Sequence, residues 1–398
     1  MNKLSVDDLL VKGQRVLMRV DFNVPMENGH VADDKRIRAA LPTIQTIIQR
    51  GGRLVLMSHL GRPKGQRVPE LSLEPCANKL QDLLGQPVTF VDDCIGPSAL
   101  ASVDLLSEGE VLLLENLRFH PEETANDPGF AAELARLGDI FVNDAFGTAH
   151  RAHASTEGVT RSIDQCAAGY LLMKEMQYLG GVLATPQRPF VAVLGGAKIS
   201  GKIDVIAHLL EKVDRILIGG GMAYTFFKAM GYAIGTSLLE ADRIDMARTL
   251  LEKGLDKIVL PIDNVVADRI DIKQGVIGNL QTTPVEAIPE GWCGVDIGPD
   301  TLEKFSRTLH TARTVVWNGP MGIFELADSA KGTFALARLM GDITDDGATT
   351  VIGGGDSARA VGEAGMMDRV SHVSTGGGAS LEMLEGKQLP GVAALTDK

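Results

Sequence analysis

Short, continuously apolar runs recur along the whole chain, each leading into a polar or glycine-rich turn and then into residues spaced like a helix. Runs such as VLLL and IVL show no alternation, which suits strands covered on both faces, as in a parallel sheet. Strands are expected at 15–22, 53–60, 88–91, 111–117 and 140–146 in the first half. In the second half they are expected at 190–195, 215–219, 257–266, 314–318, 349–353 and 370–374. Between them, Ile37, Leu41, Ile44 and Ile48 share one helical face, closed by Gly51-Gly52. Pro42 sets the expected start of that helix near 37–39, because proline is tolerated in a first turn and not in an interior. The repeated βαβ pattern predicts an α/β protein with two doubly wound parallel-sheet domains.

At 398 residues the chain exceeds what one hydrophobic core usually serves, so two domains are expected. The reading is a first domain over 1–170, a helical hinge over 171–189, a second domain over 190–380 and a tail over 381–398 that returns to the first. Gly180-Gly181 interrupts the hinge helix, and Pro186 and Pro189 come after it. A formal net charge of -12 argues against a nucleic-acid partner, whose binder is usually basic overall. The start MNKLSVDDLL carries acidic residues where an export signal would stay apolar, and no run approaches the roughly 20 apolar residues of a membrane span. Cys76, Cys94, Cys166 and Cys293 are scattered without a CxxC pair, so reduced thiols in a cytoplasm are expected. No heptad repeat is visible, and a monomer is the expectation.

Ligands of open parallel sheets bind outside the carboxyl ends of the strands, so the residues just beyond each strand matter most. In the first half those ends carry charge: RVDFNVP brings Asp21 and Asn23, with Arg36 soon after; SHLGRPKG brings His59 and Arg62; ENLRFHPEE brings Arg118; NDAFGTAHRAHAST brings Arg151. Four arginines on one rim make a site for a small, multiply anionic molecule, because each planar fork binds phosphate or carboxylate through two hydrogen bonds. Asp21 and Asn23 suit a hydroxyl. Taken singly, a loop arginine is more often a solvated charge. His150 and His153 are as readily structural, and Glu122 and Glu123 read as a solvated helix start.

In the second half the strand ends are GGAKISGKID, GGGMAY, WNGPMGIFE, GGGDSA and STGGGASLE. Glycine allows close backbone approach, and a helix starting there points free N–H groups at an anion, so this rim reads as a nucleotide phosphate site. GAKISGK matches the first seven positions of a P-loop, but Ile203 stands where Ser or Thr must hold magnesium; chance resemblance is the better account. Lys198 and Lys202 remain good phosphate ligands. Asp356 is the best magnesium ligand, with a helix N-cap as its plain alternative, and Glu325 suits a ribose hydroxyl.

RVDFNVP, SHLGRPKG, ENLRFHPEE, FGTAHRAHAST, GGAKISGKI, WNGPMGIFE, GGGDSA and STGGGASLE together resemble the signature segments of the phosphoglycerate kinase family, in family order from Arg19 to Glu382. The resemblance implies two Rossmann-like doubly wound parallel-sheet domains joined by a helical hinge. It implies 3-phosphoglycerate on the first, contacted by Asp21, Phe22, Asn23, Arg36, His59, Leu60, Gly61, Arg62, Arg118 and Arg151. It implies Mg2+ and ATP or ADP on the second, with Lys198, Lys202, Asn318, Glu325, Gly354, Gly355, Asp356 and Ser357 around the nucleotide and Asp356 on the metal. Arg36, Lys202, Gly376 and Gly377 would serve the transferring group, the two glycines by opening a helix toward it. One departure is visible: the family usually has Asp where this chain has Gly201.

The implied reaction is 1,3-bisphosphoglycerate plus MgADP giving 3-phosphoglycerate plus MgATP, by in-line transfer after hinge closure. Both oxygens that exchange the phosphoryl group are already anionic, so no catalytic base is expected. A nicotinamide-dependent dehydrogenase would need GxGxxG after an early strand, where RVDFNVP stands instead. A non-catalytic two-lobed anion- and nucleotide-binding protein is the alternative, separated by testing for phosphate transfer.

Overall fold

The computed structural model describes residues 2–398 and resolves two compact units. One runs up to Gln177 and includes Gln388–Lys398; the other is Tyr178–Lys387.

The first unit is built on six parallel strands: β1 (Arg15–Arg19), β2 (Arg53–Met57), β3 (Val88–Val91), β4 (Val111–Leu114), β5 (Ile140–Asn143) and β6 (Cys166–Ala168). They lie in the order β3-β4-β2-β1-β5-β6. The interior strands β4 and β5, each one in from an edge, are buried at every residue, whereas β3, at the sheet edge, is only partly covered. β1, β2, β4 and β5 each stop three residues before the expected end, because the chain turns there and spends those residues on the rim.

The helix Lys35–Gln49 lays Ile37, Ala40, Ile44 and Ile47 on the sheet. It starts before the expected 37–39, and Pro42 sits inside it. The carbonyl that loses its amide partner belongs to Arg38, an exposed residue, so water can satisfy it and the helix survives.

The second unit repeats the plan with β7 (Phe190–Leu194), β8 (Arg215–Ile218), β9 (Ile258–Val259), β10 (Thr314–Asn318), β11 (Thr349–Gly353) and β12 (His372–Val373). Their order is β9-β8-β7-β10-β11-β12, all parallel, with the switch point between β7 and β10. The expected strand 257–266 is two strands. After β9 the chain passes Pro261, which has no N–H to give a ladder, and Asp263–Ala267 joins a separate antiparallel sheet with Leu280–Pro284 and Cys293–Ile297. There Asp263 accepts from the amides of Asp300 (3.0 Å) and Thr301 (2.7 Å), holding the start of the helix Pro299–His310.

Between the units the chain is helical: Tyr170–Glu175, a five-residue π turn at Met176–Gly180, then Gly181–Ala184. The glycine pair does not stop it, and the division between the units falls inside the π turn. The tail packs on the first unit, where Gly391 O accepts from Asn143 Nδ2 at 3.0 Å and Thr396 N donates to Cys166 O at 2.9 Å.

Asp144, directly after β5, is fully buried and accepts from Leu172 N at 3.1 Å near the start of that helical segment. Burial pushes its carboxyl up to about 7 from an ordinary 3.8. The folded state therefore holds this proton over a range where the unfolded chain has lost it. The group's contribution is best below pH ~4 and worsens as pH rises to about 7, by an order of 4 kcal/mol. Asp144→Asn keeps an acceptor for Leu172 N and removes that penalty. Its stability relative to the unaltered protein should therefore improve between about pH 5 and about pH 8 in chemical denaturation. An offset identical at both pH values would contradict this.

Candidate active site

The rim of the first unit is organised by a buried cation. Arg19 closes β1 and is 1 % exposed. Its Nε donates to Ser155 Oγ at 2.9 Å, and Ser155 gives its hydroxyl and amide to Glu123 at 2.6 and 2.9 Å. Glu123, read from sequence as a solvated helix start, is fully buried and is the carboxylate that makes a buried arginine tolerable here.

Arg19 Nη2 lies 3.1 Å from His59 Nδ1. A guanidinium can only donate, so Nδ1 accepts and the ring proton sits on Nε2. Burial, then the charges of Arg19, Arg118, Arg36 and Arg151, hold His59 well below the usual imidazole range. It is thus a neutral donor among cations. His153 is likewise pushed down to about 4, first by burial and then by Arg19, Arg118 and Arg151.

The rest of the rim is set by the turns. Asp21 pairs with Arg36 at 2.8 Å and accepts from Asn23 N at 3.2 Å, while Asn23 Oδ1 takes Gly61 N at 2.8 Å. Phe22 is buried, its amide on Ser58 Oγ at 2.8 Å. Leu60 is pinned by Asn116 through both N–H and C=O, at 3.2 and 2.7 Å. Arg118 donates to Gly61 O at 2.8 Å, yet its Nε is buried without a partner, and burial and Arg19 lower its pKa to about 10. Arg151 donates to His150 Nε2 at 3.2 Å. Arg118, Arg151 and the exposed Arg62 line a cavity of about 480 Å³ with Lys64, His120 and His153. An under-satisfied arginine beside other cations is a recess suited to a dianion.

On the second unit, Lys202 Nζ reaches Asn318 Oδ1 across the switch point between β7 and β10. Burial lowers the ammonium to about 8, opposed by the charges of Asp356 and Glu385. Asn318 is 3 % exposed and its Nδ2 is buried without a partner. Ser357, in the first turn of the helix Gly355–Glu363, accepts from Gly319 N at 2.6 Å. Gly354 caps that helix, and Asp356 lies one residue inside it, exposed, so it is not the N-cap. Lys198 and Glu325 are exposed, their charges felt by Glu240 and Arg359. Gly376 N donates to Ser374 Oγ at 3.2 Å, and Gly377 opens the helix Gly378–Leu384.

The glycines of this rim serve two ends. Gly319 has φ +100°, and a Cβ there would stand 2.2 Å from Gly195 O, so two turns fit together only without side chains. At Gly201 and Gly355 a Cβ would meet nothing within 4 Å. A Cβ at 201, where the sequence resemblance leads one to expect Asp, would therefore meet no clash.

One rim gathers cations for a small dianion, and the other joins glycine turns and a lysine at a sheet switch point. On an α/β scaffold of this kind they define a phosphotransferase. Similarity to known proteins makes the class specific. The family model for phosphoglycerate kinase matches residues 6–387. Among curated relatives, the phosphoglycerate kinases of Chloroherpeton thalassium and Prosthecochloris aestuarii are 57 % and 55 % identical over the full length of both chains. Solved phosphoglycerate kinases from Coxiella burnetii (TM-score 0.90, 40 % identity) and Pyrococcus horikoshii (TM-score 0.84, 32 % identity) each match over 98 % of both chains. The chain belongs to the phosphoglycerate kinase family, and it is an enzyme. Among the described residues, no helix is long and apolar enough to cross a membrane.

The tautomer of His59 is directly testable. Imidazole nitrogen shifts at neutral pH should show the ring neutral and protonated on Nε2. A His59 ring protonated on Nδ1, or charged, would contradict the role assigned to Arg19.

Proposed function

We propose that the chain transfers a phosphoryl group reversibly between 1,3-bisphosphoglycerate and MgADP, with the acid on the first unit and the nucleotide on the second. The observation that carries this reading is the division of the two rims: His59, Arg62, Arg118 and Arg151 gather on one unit, Lys202 and Asn318 on the other. In this reading His59 Nε2–H and the three arginines hold the 3-phosphate, Asp21 and Asn23 the hydroxyl, and Arg36 the carboxyl end. Phe22, Leu60 and Gly61 shape the recess through their backbone.

Lys202 and Asn318 Nδ2 face the nucleotide phosphates, with Lys198 beside them. Gly354, Gly355 and Ser357 cradle the phosphates, Glu325 takes the ribose, and Gly376 and Gly377 present helix-end N–H groups to the transferring group. The exposed carboxylate of Asp356 offers the hard oxygen donor that Mg2+ prefers, and a bound Mg2+ supplies neutralisation of the β- and γ-phosphates.

In the direction of ATP use, a carboxylate oxygen of 3-phosphoglycerate attacks the γ-phosphorus while the bond to the β-phosphate oxygen breaks. No proton moves, so the side chains position and neutralise rather than deprotonate. Arg36 and Lys202 take the charge in transit. Because acceptor and donor are held on separate units, closure around the helical segment brings them together and excludes water from the acyl phosphate. The reading includes a cytoplasmic monomer; the four cysteines are free, and three are buried.

With MgATP and 3-phosphoglycerate, coupled to glyceraldehyde-3-phosphate dehydrogenase, the protein should consume NADH rapidly, and not with unphosphorylated glycerate. Lys202→Ala should lower kcat roughly 10²–10³-fold. Folded protein that binds nucleotide but turns over nothing would sink the proposal.

A further inference from the structure

One cluster carries chemistry that phosphoryl transfer does not use. β3 runs out into Asp93 and Cys94, and its neighbour β4 runs out through Leu117–Phe119 into His120. A carboxylate oxygen of Asp93, the Cys94 sulfur and a ring nitrogen of His120 lie within 4.8 Å of one another. The donors are held in place: His120 Nε2 is 2.7 Å from Asp93 Oδ1, which also accepts from Cys94 N at 2.6 Å. Phe130 packs its ring 5.2 Å from that of His120. Cys94 is buried, while Asp93 and His120 are half-buried and give a path from solvent.

We propose that Asp93, Cys94 and His120 form a site for one borderline-soft divalent metal ion, of which Zn2+ is the type, with water as the fourth ligand. Sulfur, imidazole nitrogen and carboxylate oxygen in one small volume is the donor set zinc takes, whereas Mg2+ keeps to oxygen. The site is therefore chemically distinct from Asp356.

On binding, the Cys94 S–H bond breaks, a sulfur lone pair forms the bond to the metal, and the proton leaves to solvent. His120 ligates through the lone pair of one ring nitrogen, and a proton held on that nitrogen leaves to solvent. No oxidation is involved. The site stands whether or not the phosphoryl-transfer reading does, since its test reads metal coordination and not turnover.

The experiment adds Co2+ to the full-length, chelator-free protein and records the near-ultraviolet spectrum. One equivalent should produce a thiolate-to-cobalt charge-transfer band, and Zn2+ should displace it. The band should be absent in Cys94→Ser, and His120→Gln should bind at least about tenfold more weakly. Cys76→Ser, Cys166→Ser and Cys293→Ser should each keep it, which assigns the thiolate even if Cys94→Ser does not fold. No band at stoichiometric cobalt, a band that survives in folded Cys94→Ser, or one lost with Cys293→Ser would overturn the proposal.

Discussion

A parallel strand covered on both faces can offer chemistry only where it ends, and both units of this protein live under that constraint. β4, β5, β7 and β10 are buried at every residue, so a side chain of theirs can reach a ligand only from the strand's last position, as Asn318 does in β10. Polar chemistry is thereby displaced to the strand ends and the turns beyond them. The two units answer alike in architecture and differently in composition. One fills its rim with arginine and histidine, the other with glycine, lysine and asparagine.

A cationic rim repels itself, and the first unit shows how it is kept together. Arg19 is a buried charge that Glu123 balances through Ser155. Its free face fixes the proton of His59, and burial together with the surrounding arginines keeps that ring neutral. A second imidazole, His153, is neutral for the same reasons. The recess thus concentrates positive charge on the arginines while its histidines act as uncharged donors. On the other rim, Lys202 meets the opposite problem. Burial weakens its charge, and Asp356 and Glu385 restore part of it.

The strands were legible in the sequence because burial on both faces leaves an unbroken apolar run, a local signal. The rim residues were legible because they come directly after those runs. The hidden part depends on partners far away in sequence. Arg19 opens the RVDFNVP segment, yet nothing near it announces that Ser155 and Glu123 receive it. Glu123 looked solvated because its neighbour Glu122 is, and helix starts favour carboxylates. Pro42 misled through a rule about hydrogen bonds that an exposed carbonyl evades. The run 257–266 concealed a change of sheet, since Pro261 marks where a ladder must stop but not where the chain goes next.

The central claim is that each rim recognises one substrate by itself. It is tested by recording amide and imidazole resonances while 3-phosphoglycerate alone, and then MgADP alone, is added. The account predicts that the acid shifts the signals of Asn23, His59, Gly61, Arg118 and Arg151, and leaves those of Lys202, Asn318 and Gly355 in place. MgADP should do the reverse. Shifts from 3-phosphoglycerate centred on the glycine turns of the second unit, with His59 unmoved, would contradict it.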